Sequence, residues 1–299
     1  MIAPPFKYFA CVAALVCAPA QAASAWYFST IVQGLYMNYS GSTVRDHLIG
    51  TGLYVNGDYL EDSGFTFGYN QRAVLLKDTT KIIEHDIFAG VRLSQFSDRL
   101  AGQFTLRLDA HRIEDHNLTY LDRINVETAR ISFLNLGKTY YADLGYARSN
   151  YVADMTTLDD MRVQQWTSTL GLAWGEREWL QARGYSIKHA ASNRMIEMNS
   201  NRAGEFKWVH RFDLRDGRGA EHVEISTLAG KRIFAVDPDS SDVYSLSDMQ
   251  RAAAAIALRW RIGAATHVLT MAGRQSYENL ASGQTYSGRY IYLNVTTTW

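Results

Sequence analysis

Two groups of polar residues in this sequence carry side chains that could bind a metal ion or transfer a proton. In the first group, His111 and His116 lie close to Asp109, Glu114 and Asp115. Imidazole nitrogens and carboxylate oxygens are common metal ligands and common general acids and bases. Such a site needs groups that converge from several elements of the fold. The sequence alone therefore favours a solvated charged segment here, and we predict no metal site and no cofactor.

The second group is the stretch from Lys188 to Asn193, which contains His189 and Ser192. It resembles the His-x-Ser-Asn element of the outer-membrane phospholipase and lipid A deacylase families. In those families the His and the Ser are two positions apart, so both side chains leave a strand on one face and can share a hydrogen bond. Here they are three positions apart, on opposite faces of an extended strand. We therefore predict that the chain is not an enzyme, and a lipid hydrolase using His189 and Ser192 is the alternative.

The elements that must position these residues follow an export signal. Lys7 provides a positive charge and residues 8–17 provide a short apolar core. A cleavage site with small residues follows, formed by Ala20, Ala22 and Ala23. This arrangement is typical of a secretory signal peptide that is removed from the mature protein. We predict a cleaved signal peptide over residues 1–22 and one exported domain over residues 23–299.

From Trp26 onward, apolar and polar residues alternate with a period of two, which indicates β-strands with one apolar face. The alternation predicts about fourteen strands, within a range of roughly 12–16, in an all-β fold. The alternation is cleanest over residues 252–262 and 103–111, and the predicted segments include 63–76, 81–96 and 249–262. In segment 122–134 the apolar phase changes midway, which suggests a β-bulge or a misplaced boundary.

The connections between these segments also differ in length. If the first strand runs outward, the links on one rim are mostly short, whereas several on the other rim are long and polar, as at 151–160 and 237–248. Short turns on one rim and long loops on the other are typical of outer-membrane barrels. The two long segments are candidates for loops that fold into the barrel.

The C-terminal segment sharpens the prediction. Tyr292, Leu293, Val295 and Trp299 belong to an alternating apolar segment that ends on an aromatic residue. It resembles the terminal strand of bacterial outer-membrane β-barrel proteins, by which the barrel-assembly machinery recognises them, although the usual last residue there is Phe. The resemblance covers the mature chain. It implies a transmembrane antiparallel up-and-down β-barrel in the Gram-negative outer membrane, with the lipid bilayer, lipopolysaccharide and the assembly machinery as partners.

Charged residues on the predicted inner face suggest a function. The alternation directs thirteen of them into the lumen: Arg72, Arg92, Arg107, Asp109, Asp143, Arg183, Glu205, Lys207, Arg211, Glu224, Arg259, Arg261 and Arg274. Such a wall either lines a pore for small polar or saccharide solutes or pairs its charges across the lumen. Because side chains alone do not fill a barrel of about fourteen strands, we predict a porin-like channel. A non-channel barrel for assembly, or for polysaccharide or lipoprotein export, is the alternative.

The overall charge excludes one class of partner. The chain has 30 Lys and Arg residues and 30 Asp and Glu residues, so its formal net charge is zero. Proteins that bind nucleic acids usually carry a basic excess or a basic tract. We therefore predict no nucleic-acid partner.

Overall fold

A computed structural model describes most of the chain after the predicted signal peptide. The described residues are 26–41, 47–59, 63–76, 81–96, 100–115, 120–135, 139–153, 161–191, 199–214, 217–233, 248–279 and 283–299. The predicted cleavage site at Ala20, Ala22 and Ala23 lies outside them. So do residues 154–160 and 234–247, which form most of the two long segments.

The described residues form one closed sheet of fourteen strands. The strands are β1 (Trp26–Ser40), β2 (His47–Tyr59), β3 (Ser63–Leu76), β4 (Lys81–Phe96), β5 (Leu100–Asp115), β6 (Tyr120–Asn135), β7 (Tyr140–Ala153), β8 (Met161–Trp174), β9 (Glu178–Ala191), β10 (Asn199–Arg211), β11 (Gly219–Arg232), β12 (Asp248–Arg261), β13 (Thr266–Asn279) and β14 (Thr285–Thr298). Each strand pairs with its neighbours in sequence, and β1 pairs antiparallel with β14. The predicted antiparallel up-and-down barrel is confirmed.

The alternation of side chains determines the two faces of the sheet, as β8 illustrates. Trp166, Leu170 and Trp174 are exposed on the outer face. Between them, Thr167 and Thr169 are buried on the inner face. A sheet with an apolar outer face suits a hydrocarbon environment, where closure of the barrel leaves no strand edge without hydrogen-bond partners. Among the described residues, no helix is long and apolar enough to cross a membrane.

One end of the barrel is identified by the start of β1 and the end of β14, which lie next to each other there. Trp26 begins β1 and Trp299 follows β14, and the backbone N–H of Trp299 donates to the carbonyl of Phe28 at 2.8 Å. We call this end the terminal end and the opposite one the distal end. At the terminal end, Trp26 packs edge-on against Phe65, with ring centroids 4.9 Å apart. Aromatic rings at a strand end are typical of a membrane interface.

The change of phase in β6 has a different cause from the one that the sequence suggested. The pairing of β6 with β5 and β7 continues without a register shift, so the suggested bulge is wrong. Val126 lies on the inner face and is 2% exposed, whereas Ile131 lies on the outer face. The strand therefore carries apolar residues on both faces. Register shifts occur instead where β11 and β13 pair with β12.

The C-terminal strand presents most of its apolar residues outward. Leu293 and Trp299 are exposed on the outer face, and Val295 shares that face. Tyr292 points the other way, and its hydroxyl donates to Gln33 Oε1 at 2.7 Å. Three of the four residues assigned to the assembly signal thus share the outer face.

Candidate functional site in the barrel lumen

The inner face of the barrel is the surface most able to act on a solute. In β5, Arg107 and Asp109 alternate with the exposed residues Leu106 and Leu108, so the two charged side chains face the lumen. The same alternation and the strand registers place twelve of the thirteen predicted residues on this face. They are Arg72, Arg92, Arg107, Asp109, Asp143, Arg183, Glu205, Lys207, Arg211, Glu224, Arg259 and Arg261.

Arg274 is the exception, because the structure places it on the outer face. Its register partners are Arg289 in β14 and Ala254 in β12, and it shares the face of Ala272. Its guanidinium donates to Ser287 Oγ at 3.3 Å. The prediction was wrong because β13 has apolar residues on both faces, so its alternation does not determine which one is inside.

Opposite charges on the inner face pair along neighbouring strands. Arg130 lies 3.4 Å from Asp143, and Lys207 lies 3.0 Å from Glu224. Tyr185 donates its hydroxyl to Glu205 at 2.6 Å. These contacts run along the wall rather than across the lumen. They form a polar layer in which these charges are balanced by neighbours on the wall.

A second network surrounds Glu221 near the terminal end. Its carboxylate lies 3.0 Å from Arg259, 2.9 Å from Arg261 and 2.9 Å from His267. Simple alternation puts Glu221 on the face opposite to its neighbour His222, so the sequence analysis missed it. A register shift between Ala220 and His222 turns it inward. Such bulges re-aim a single side chain and are hard to see in a sequence.

A third network contains two residues of the polar group considered first. Asp109 and His111 on β5 lie beside Asp86 on β4, and all three are buried.

Of the other residues of that polar group, only Glu114 has a side chain that the structure describes. It lies 3.3 Å from Arg112. His116 lies outside the described residues, as does the side chain of Asp115.

The inner face also carries an apolar cluster, which the sequence analysis did not predict. It comes from the eight consecutive strands β5 to β12 and lies in the distal half of the barrel. We call it the lumen cluster; its buried members are Val126, Tyr151, Val163, Tyr185, Ile187 and Leu228, with Ile113, Met161, Ala203 and Ala253 packed against them. Ile187 is 0% exposed. Inward residues of a water-filled pore remain hydrated, so this level of the lumen is suited to apolar groups.

One buried amide interrupts the lumen cluster. Gln165 is 3% exposed and lies opposite Ile187 on β9 and Ala147 on β7. Neither its Nε2 nor its Oε1 has a hydrogen-bond partner among the described residues. A buried amide without partners is costly. The amide of Gln165 therefore leaves donor and acceptor atoms unsatisfied within an apolar cluster.

The outer face changes character toward the distal end. Basic side chains lie there beyond the apolar band; we call them the distal collar: Arg112, Arg148, Arg162, Lys188, Arg202, Arg251, Arg274 and Arg289. Fewer acidic side chains share this level among the described residues, and they pair with collar members: Glu114 with Arg112, Glu127 with Arg148, and Glu278 with Arg251. The collar carries a net positive charge.

The residues of the hydrolase alternative are only partly described. His189 lies on the inner face of β9 at the distal end, opposite Val163 in β8 and Asn199 in β10, and is buried. Ser192 lies outside the described residues. The structure thus gives no geometry for a His189–Ser192 pair.

The fold and the two faces of the sheet together describe one architecture. A closed antiparallel barrel of fourteen strands, apolar outside and with a polar layer inside, is the fold of the bacterial outer-membrane β-barrel superfamily. No known family model matches the sequence. No curated protein matches it either.

Solved structures share this fold. A mutant of the monoaromatic hydrocarbon channel TodX matches with a TM-score of 0.55 and 8% identity, over 93% of this chain and 90% of that one. The monoaromatic hydrocarbon channel CymD gives 0.54 and 5%, over 93% and 89%. The toluene transporter TodX of Pseudomonas putida gives 0.50 and 10%, over 96% and 93%. At these identities the likeness establishes the fold.

Proposed function

We propose that this protein is a channel for small solutes in the outer membrane of a Gram-negative bacterium. Its predicted signal peptide would direct export and be cleaved from the mature protein. The closed barrel and its apolar outer face support the location. The inward charged and polar residues support a passage through the lumen, because side chains alone do not fill a barrel of this strand number.

The lumen cluster is the observation that carries the choice of solute. Apolar residues from eight strands face inward at one level, with the unpartnered amide of Gln165 among them. A small solute with an apolar body and one hydrogen-bonding group complements this surface, since it would bury its apolar part and satisfy the amide. The names of TodX and CymD as hydrocarbon channels agree with this class of solute.

A polar or saccharide solute is the second candidate. The charge pairs Arg130–Asp143 and Lys207–Glu224 line the wall nearer the terminal end. Charges of both signs along a pore favour small polar solutes by their transverse field. This candidate predicts that sugars pass and that the lumen cluster has no effect on the choice of solute.

Uptake of three probes separates these candidates. We expect cells that make this protein to take up radiolabelled phenol and toluene faster than cells without it, and arabinose little faster. Intact cells are suitable because their lipopolysaccharide leaflet slows the entry of apolar solutes. Fast arabinose uptake without faster phenol or toluene uptake would instead establish the polar alternative. A folded barrel with neither uptake nor conductance in planar bilayers would contradict the channel and favour an assembly or export barrel.

Gln165→Leu should affect phenol selectively. Loss of one hydrogen bond to the phenol hydroxyl is expected to slow its uptake by about three- to tenfold, while toluene, which has no hydroxyl, is unaffected. Gln164→Leu is the matched control because Gln164 is the neighbouring residue on the outer face of β8. Equal effects of both variants on phenol, or none of either, would show that Gln165 does not contact the solute.

We also propose that the distal collar binds lipopolysaccharide and that the outer face of β14 is what the assembly machinery recognises. Arg274 and Arg289 lie directly opposite each other on that face. Phosphate groups of the outer leaflet are the anions at this level, and each basic residue near a charged membrane surface contributes about 1 kcal/mol.

The collar can be tested with a double variant. Arg274→Gln with Arg289→Gln is expected to weaken lipopolysaccharide binding by the purified barrel about 30-fold, which corresponds to about 2 kcal/mol. Titration with lipopolysaccharide in detergent measures it. The matched control replaces Arg177 and Arg218, two exposed arginines at the terminal end. If both double variants weaken binding equally, the attraction is nonspecific and the proposed collar site is wrong.

A further inference from the structure

Three ligating side chains meet on the inner face where β4 and β5 pair. Asp86, Asp109 and His111 each offer one ligand atom, and these atoms all lie within 4.8 Å of one another. His111 lies opposite Asp86 in the register. The exposed fractions are 1% for Asp86, 3% for His111 and 7% for Asp109. The group is therefore shielded from the competing water that weakens exposed acidic clusters.

The orientation of His111 points to a missing cation. Its Nδ1 lies 3.1 Å from Glu84 Oε1, where the proton of a neutral imidazole can be donated to the carboxylate. The lone pair of Nε2 then faces Asp86 Oδ1 at 3.4 Å. Neither Nε2 nor Oδ1 has a hydrogen-bond partner among the described residues. Two buried acceptor atoms that face each other are unfavourable unless a positive ion lies between them.

The surrounding groups hold these ligands in place. Asn70 donates to Asp86 Oδ2 at 2.7 Å, which leaves Oδ1 directed at His111. Arg107 Nε donates to both oxygens of Asp109 at 2.9 and 3.0 Å, so its carboxylate is fixed. A carboxylate that accepts from the second nitrogen of a ligating His is the usual support of a metal site. Glu84 occupies that position here.

The charges leave room for a divalent ion. The carboxylates of Glu84, Asp86 and Asp109 face the guanidiniums of Arg107 and of Arg72, which lies 3.7 Å from Glu84. With a neutral His111 the group carries one net negative charge. A divalent ion changes this to one net positive charge, so the net charge keeps the same magnitude and only its sign changes.

We propose that His111 Nε2, Asp86 Oδ1 and one oxygen of Asp109 bind a divalent transition-metal ion of the Zn²⁺ type, with Glu84 as the positioning residue. Imidazole nitrogens and carboxylate oxygens are both zinc donors, and three protein ligands leave a fourth position for water or a solute group. The ion would link β4 to β5 on the lumen wall. This inference is independent of the proposed channel, because a barrel of any function could hold the site.

Metal titration of the untagged barrel tests the proposal. The purified protein is stripped with EDTA in detergent, and one sample is titrated with Co²⁺ and followed by visible absorption. A second stripped sample is loaded with Zn²⁺, and its bound Zn²⁺ is measured by mass spectrometry. We expect one equivalent of metal. Glu84→Gln should weaken binding by about 10- to 100-fold, as removal of an outer-shell partner usually does. His111→Ala and Asp86→Asn should abolish stoichiometric binding.

The matched control is His85→Ala. His85 is next to Asp86 but points outward, where it bonds with the Tyr69 hydroxyl at 2.7 Å, so this variant should bind metal as the unmodified protein does. The heat-dependent gel mobility of each variant checks that the barrel is folded. Metal that stays bound in a folded His111→Ala barrel would overturn the site. So would an unmodified protein that binds no metal. If nitrogen NMR then finds both nitrogens of His111 protonated, a proton fills the role of the ion.

Discussion

Leu170→Arg is expected to lower the free energy of unfolding of the barrel by about 2–4 kcal/mol, the cost of a basic residue on the lipid face at the membrane midplane. Leu170 is 69% exposed on the outer face of β8. It lies midway between Trp166 and Trp174, which carry exposed indole rings on the same face. If those rings mark the two membrane interfaces, Leu170 lies in the hydrocarbon centre.

Gln164→Arg is the matched control for Leu170→Arg. Gln164 lies on the same strand and face but at the level of the distal collar, so the same substitution should cost only about 0–1 kcal/mol. Urea titration of the barrel in lipid vesicles, followed by tryptophan fluorescence, measures both variants. Equal costs at the two positions would mean that the apolar band does not lie in lipid as we infer.

Gly230→Ala is expected to destabilise the barrel by roughly 3 kcal/mol, through backbone strain and a steric clash together. Gly230 lies at the register shift near the end of β11, with a φ of 128° that L-residues rarely adopt. A Cβ there would lie 2.5 Å from the carbonyl oxygen of Arg202 and 2.6 Å from Ala203 Cα. Both are backbone atoms, which cannot move without disturbing the pairing with β10.

Gly204→Ala tests whether the destabilisation comes from the conformation of Gly230 rather than from the replacement of any glycine. Gly204 lies on the adjacent strand β10, and the nearest atom to a Cβ there is the Arg183 carbonyl oxygen at 4.0 Å. This variant should match the unmodified protein or be slightly more stable. The same urea titration compares the two, and a Gly230→Ala barrel as stable as the Gly204→Ala barrel would contradict the strained bulge.

The strands themselves could be predicted from the sequence with good accuracy. The segments 63–76 and 81–96 have the same bounds in the structure as in the prediction. The reason is physical, since one face of each strand meets apolar surroundings and the other does not, so the residue types must alternate. In β5, where this contrast is strongest, the inward direction of Arg107 and Asp109 followed from the sequence alone.

The failures share one cause, which is that register and bulges are not encoded in the alternation of a single strand. Arg274 was misplaced because β13 is apolar on both faces, and Glu221 was missed because a bulge turns it inward. The lumen cluster made β6 look irregular, since an apolar inner face resembles a phase error. The meeting of Asp86 with His111 depends on how β4 pairs with β5, which neither strand reveals by itself.

The pairing of β1 with β14 has a consequence for how the protein forms. It joins Ser29 to Thr298 and Tyr36 to Ile291, so the bonds that complete the ring connect the strands most distant in sequence. Contacts between distant segments form slowly, because the chain loses conformational entropy before those contacts stabilise it. Until that last seam forms, two strand edges stay available for pairing with other chains. Once it forms, unfolding cannot start by fraying from an edge, so the finished ring should persist by slow kinetics as much as by its equilibrium stability.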